Sequence, residues 1–264
     1  MLATLYIRRK VLKNVVLDRG VAIIGFPGMG LVGKTAVDYL ITKLNASKFM
    51  VMYHCGFPAQ LMVEKNGVAD IIHIDFYHAK VRDKDIVLVT GNAQPLTDLH
   101  QHELSDAIVR ELSERGIVEL VATAAFVMDL ENPSARRRVF IAGNNAEIVE
   151  KYVSYGAVKL GEGVITGMNG IVVGWASLYD IAAISALGET WRVIVELELV
   201  DYRAAAALVE FLSHVHDIPV SVDELIAKGS SIEREAASLY RRYVERAGVE
   251  RKEGRTGRET TYIT

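Results

Sequence analysis

The chain has 264 residues, half of them hydrophobic and 24% charged, which supplies a large buried core and excludes an intrinsically disordered segment. Lys and Arg number 30 against 33 Asp and Glu, and a formal net charge of -3 excludes the global positive field that gathers nucleic acid onto a surface. A single cysteine excludes an internal disulfide and the thiolate half of a zinc site.

Short β-branched runs alternate with helical periodicity, the pattern of an α/β protein whose mostly parallel, mixed sheet carries helices on both faces. Arg8, Arg9 and Lys10 precede an apolar stretch broken by Asp18, Arg19 and Gly20, so no signal peptide is expected. Val21 to Gly25 predicts a buried strand, and Val32, Ala36, Leu40 and Leu44 recur on one stripe of the helix that follows. Phe49 to Tyr53 predicts a second strand, with Cys55 beyond it as a buried thiol in a reducing compartment. Leu61 to Lys65 and Val68 to Asp75 flank Asn66-Gly67 and predict a hairpin closed by a type I′ turn.

Ile86 to Thr90 is an uninterrupted apolar strand, and its helix, Asp98 to Arg115, stops at Gly116, which accepts the left-handed backbone of a helix end. Ile117 to Thr123 and Arg138 to Ala142 predict strands, and Ala146 to Tyr155 a helix closed by Gly156. Ile171 to Leu187 predicts a largely buried helix, too short and too interrupted to span a bilayer, and Trp191 to Leu197 one more strand. Helices over Tyr202 to His216 and Ser231 to Ala247 complete a single domain, residues 1–247; residues 248–264 are rich in charge and predict a flexible C-terminal tail. A cytoplasmic protein is expected, with neither membrane nor nucleic acid among its partners.

The most conspicuous motif runs from Gly28 through Gly30 and Gly33 to Lys34 and Thr35 and satisfies G-x-x-x-x-G-K-T between a strand and a helix. In a phosphate loop, the glycines would let backbone N–H groups surround ATP phosphates, Lys34 would neutralise charge and Thr35 would bind magnesium. Such an enzyme also needs an acid at the end of a neighbouring buried strand. Here Ile86 to Val89 ends in Thr90, while Asp75 falls in the predicted hairpin and Asp129 follows a looser run. The alternative is that the glycines permit a sharp turn and close helix packing, with no cofactor. Two histidine pairs, His100 with His102 and His214 with His216, are two apart on helices and face different sides, so no metal site is expected. Arg136-Arg137-Arg138 reads as a solvated turn that could also meet an acidic partner surface.

The wider string Gly25-Phe-Pro-Gly28-Met-Gly30-Leu-Val-Gly33, taken with Val89-Thr-Gly-Asn-Ala-Gln94-Pro95, resembles the proteasome assembly chaperone family, archaeal homologues included. The likeness continues through Gly161 to Gly170 and Asp201 to Ala205. It implies a three-layer α/β/α fold similar to nucleoside phosphorylases, a homo-oligomer, and non-catalytic binding of proteasome α subunits or related chaperone subunits. Some members are placed near ATP-grasp enzymes, but the sequence offers no paired magnesium-binding acids on adjacent strands. A lysine after the third glycine departs from the family pattern and keeps ATP with magnesium as the alternative. Several archaeal proteasome partners end in a hydrophobic residue, then tyrosine, then any residue. This chain ends Tyr262-Ile263-Thr264, the tyrosine one place early, and these three are the candidate partner-binding residues.

Overall fold

The structure, a computed structural model, describes residues 7–247 and 262–263; for 243–247 and 262–263 it describes the backbone alone. Its centre is a nine-stranded sheet. Strands β1 (Ile7–Val11), β2 (Gly20–Gly25), β3 (Ser47–His54), β6 (His73–Val81), β7 (Lys84–Gly91), β8 (Ile117–Met128), β9 (Val139–Gly143), β10 (Val158–Lys159) and β12 (Ala182–Trp191) lie in the order β1-β3-β6-β7-β2-β8-β12-β9-β10. The inner strands β7, β2, β8 and β12 are mutually parallel, and antiparallel β6, β3 and β1 extend one side. On the other side β9 runs antiparallel to β12, and β10 parallel to β9.

Alternation along each strand sorts the core into two layers. Ile23, Leu88, Val121 and Ile184 face α1 (Val32–Lys43), α3 (Ala146–Ser154) and α6 (Tyr202–His216). Their sequence neighbours Ala22, Ile24, Val89, Ala122 and Ala183 face α2 (Asp98–Glu114) and α4 (Met168–Ala176). The three-layer α/β/α fold with a mixed sheet, parallel at its centre, is therefore as the sequence predicts. Helix α7 (Asp223–Ala247) packs on α6 and on α5 (Arg192–Glu196). Among the described residues no helix is long and apolar enough to cross a membrane.

Five expectations are corrected. Ile171 to Leu187 is not one helix: α4 ends at Ala176, a 3-10 turn covers Ser177–Tyr179, Asp180 turns left-handed, and β12 begins at Ala182. Strand β12 is covered on both faces and paired on both edges, so apolar side chains point to both sides along Ala182 to Leu187, Ser185 apart, and carry no period-two signal. Trp191 to Leu197 holds α5 instead of a strand, because β12 has already delivered the chain to Trp191.

The hairpin of β4 (Leu61–Val63) and β5 (Ala69–Ile71) exists, but of its turn residues only Gly67 has positive φ, at 82°. Gly67 N–H donates to the Glu64 carbonyl at 2.9 Å, so the turn is type I with a left-handed glycine, not type I′. Asp75 lies beyond it, on β6 of the main sheet opposite Thr90. Cys55 is exposed rather than buried, because it follows the last strand residue, His54, which takes the buried position.

Candidate functional site at the carboxyl ends of the parallel strands

Strands β7, β2, β8 and β12 deliver their following loops to one edge of the sheet, where open α/β folds place ligand and partner contacts. Three glycine-bearing segments meet there through side-chain amides. Asn169, on α4 and 1% exposed, accepts from Phe26 N–H at 3.0 Å and donates to the Phe26 carbonyl at 3.1 Å. Gln94 donates to the Pro27 carbonyl at 2.6 Å and accepts from Met168 N–H at 2.8 Å. Buried Asp201 caps α6 by accepting from Ala204 N–H, accepts from Trp191 N–H, and donates its own N–H to the Gly30 carbonyl.

Two of the motif glycines are at van der Waals limits. A Cβ on Gly33 would lie 2.1 Å from the Thr123 carbonyl oxygen, and one on Gly25 would lie 2.3 Å from the Gly33 carbonyl oxygen. Helix α1 thus rests its first turn on the backbone of β2 and β8. The Thr123 hydroxyl closes this contact, donating to Ile24 at 2.8 Å and lying 3.2 Å from the Gly33 carbonyl.

The phosphate-loop residues are placed as follows. Gly28 opens a 3-10 turn, Gly30 and Leu31 are both left-handed, and Gly33, Lys34 and Thr35 lie in the first turn of α1. The N–H groups of Leu31 and Val32 donate to the Gly28 and Met29 carbonyls, so the turn consumes two donors that a phosphate would require. Lys34 Nζ pairs with Asp38 one turn along, at 2.8 Å, and Asp38 lies 3.2 Å from the Thr90 hydroxyl. Leu31 keeps a strained φ of 50° while 40% exposed, the kind of cost that is retained at working surfaces.

Beside the motif, Lys34, Asp38, Thr90 and Asn92 form one wall of a 910 Å³ groove whose other wall includes Lys48, His73 and Asp75. Burial opposes the ionisation of Asp75, but hydrogen bonds from His73 and Lys48 prevail and hold its carboxyl below the usual range. Lys48 lies at 2.9 Å and His73 at 3.2 Å, and the bond to Asp75 raises His73 in turn. Asp75 therefore stands on β6, separated by β7 from the strand that leads into the motif, and is engaged by two cations of its own.

The histidine pairs separate as expected. His102 accepts from the Trp175 indole while His100 packs on His54, and His214 meets Tyr155 edge to face while His216 is buried against Tyr152. Of the candidate partner-binding residues, Tyr262 and Ile263 form a short strand β13, parallel to β11 (Val164–Ile165), which places their backbone beside the loop from Gly161 to Gly167. Thr264 and the stretch 248–261, where the flexible tail is expected, lie outside the described residues. Sequence reading also passed over exposed Leu31, Leu96 and Leu99, three large apolar side chains on or next to these loops. Their signal was present, since Leu96 follows the Gln94-Pro95 marker without fitting any helical stripe.

The sequence pattern of the PAC2 family matches residues 22–240. An uncharacterized protein of Methanocaldococcus jannaschii is 27% identical over 229 residues, 86% of this chain and 86% of its own. Among solved structures, PbaB of Pyrococcus furiosus, an archaeal proteasome activator, superposes with a TM-score of 0.80 at 25% identity, over 89% of this chain and 99% of its own. PbaA of the same organism, an archaeal homolog of proteasome-assembly chaperone, superposes with a TM-score of 0.72 at 23% identity, over 90% and 94%.

Proposed function

The chain belongs to the PAC2 family, and from that membership we propose that it is a non-catalytic protein that binds proteasome α subunits or related chaperone subunits. It does so as a homo-oligomer in the cytoplasm. The observation that carries this reading is the convergence of the segments resembling assembly chaperones onto one edge of the sheet, locked by Asn169 and Gln94 into a rigid platform. Leu31, Leu96 and Leu99 offer apolar contact area there, of the kind that marks protein contact. Tyr262, Ile263 and Thr264 supply a second contact, in which Tyr262 and Ile263 can exchange their pairing with β11 for a partner.

The likeness to PbaB, a proteasome activator, favours a second form of the same reading, in which the partner is the assembled particle instead of free α subunits. Native mass spectrometry of the purified chain, alone and mixed with either free archaeal α subunits or assembled particles, tests both. Stoichiometric mixed complexes without added nucleotide mass are expected. Absence of complexes with both partners overturns the proposal. A nucleotide-sized increment that Lys34→Ala removes would transfer the function to Gly28, Gly30, Gly33, Lys34 and Thr35 with ATP and magnesium.

A further inference from the structure

A second cavity, of 620 Å³, lies away from the motif loops, between the C-terminal end of α3, the exposed side of α6 and the segment leading into β9. Its wall includes Arg136, Arg137, Arg138, Tyr155, Phe211 and His214. Three consecutive arginines at one cavity are a local positive excess in a chain whose net charge is -3.

The three differ in how far they are neutralised. Arg138 is held by Glu189 through Nε at 2.9 Å and Nη2 at 2.5 Å. Arg136 reaches only Glu210, at 3.4 Å, with its side chain 83% exposed, a contact that holds neither partner firmly. Arg137 is the unusual one, its side chain being 2% exposed. Its Nη2 donates to Glu233 at 2.8 Å, but Glu233 is shared with Arg203 at 2.9 Å, so one carboxylate serves two guanidinium groups. Among the described residues, Nε and Nη1 of Arg137 have no hydrogen-bond partner. A buried guanidinium with two idle donors and half a counter-charge is costly unless something completes it.

We infer that this cavity is a binding site for a small-molecule oxyanion, a carboxylate or phosphate carried on an apolar or planar body. The oxyanion replaces Glu210 at Arg136 and adds negative charge beside Arg137, whose partner Glu233 is shared with Arg203. Ala207, Val139 and the rings of Phe211 and Tyr155 accommodate the body. Guanidinium groups suit both oxyanions because their planar N–H forks match the oxygen geometry.

The test is a titration of the full-length, nitrogen-15-labelled protein with inorganic phosphate and, separately, with benzoate, following the arginine Nε–Hε resonances. A saturable shift at Arg137 is expected with at least one probe; benzoate binding more tightly would identify an aromatic carboxylate, phosphate binding more tightly a phosphorylated ligand. Arg136→Glu, at an exposed position that folding does not need, should weaken binding about tenfold. Arg137→Lys should do the same, and Arg110→Glu, elsewhere on the surface, should leave it unchanged. No saturable shift with either probe in the millimolar range, or equal affinity in Arg136→Glu, overturns the inference.

Discussion

The side chain of Asn169 reads both backbone groups of Phe26, taking its N–H at 3.0 Å and giving to its carbonyl at 3.1 Å, across 143 positions of sequence. One buried amide thereby fixes the loop after β2 to the first turn of α4. Asn169→Leu fills the same space but leaves two buried backbone groups unpaired, and should cost about 2–4 kcal/mol in chemical denaturation. Asn169→Asp keeps an acceptor for Phe26 N–H but can donate to the Phe26 carbonyl only when protonated, so its cost should grow as pH rises. Equal stability of all three proteins would show that the clamp contributes nothing.

Gly33 and Lys34 separate packing from phosphate binding. Gly33→Ala drives a methyl group into the Thr123 carbonyl and should lower the melting temperature severely or prevent folding. Lys34→Ala loses a single pair with Asp38, whose side chain is 45% exposed, and should change stability by less than about 1 kcal/mol. Partner binding unaffected by Lys34→Ala is the expected result, measured by titration calorimetry.

His216 gives the fold an acid-sensitive element. Burial, aided by Lys151 and Lys84 and opposed by Glu119, pushes its pKa down from 6.5 to about 4, while its ring hydrogen-bonds Tyr152 at 2.9 Å. The unfolded chain takes up this proton as pH falls through 6.5, and the folded protein only near 4. The stabilisation is therefore complete above 6.5 and is lost between 6.5 and 4, to the extent of about 3 kcal/mol. Urea denaturation across this range should show the decline, and His216→Gln should flatten it relative to the parent. Asp75 and Glu189, both held below the usual carboxylate range, lose their contributions mainly below about pH 4, beneath this range, and equally in both proteins.

Two perturbations bear on the proposed partner surface. Leu96→Asp with Leu99→Asp changes side chains that are 73% and 66% exposed, so stability should stay within about 0.5 kcal/mol while affinity for α subunits or particles falls at least about tenfold. Removal of residues 248–264 should leave cooperative unfolding of the α/β domain intact and weaken the same complex. Surface plasmon resonance with both variants assigns the contact to the loops, the terminus or both.

Much of this architecture is written in local sequence. The stripe of Val32, Ala36 and Leu40, the left-handed Gly116 behind α2 and the apolar run Ile86 to Val89 each identify their element without help from distant residues. Strand β12 was illegible because a strand buried on both faces has no alternation, and small residues such as Ala182, Ala183 and Ala186 suit a helix equally well. The site was half legible: its glycines and Gln94 stand inside recognisable strings. That Gly33 faces Thr123, or Asn169 faces Phe26, depends on strand order, which no local pattern encodes.

The outer margins of the sheet have a bearing on what such a protein can safely do. One margin is β1, whose Arg8, Arg9 and Lys10 are exposed, and the other is β10, only two residues long. Charge repels a foreign strand from the first, and the second is too short to template one. A molecule with the proposed role, touching incomplete assemblies repeatedly, would thereby be kept from fusing with them, or with its own copies, by runaway strand addition at this sheet. Contact is steered away from the margins of this sheet, towards its faces and loops, where association can be reversed.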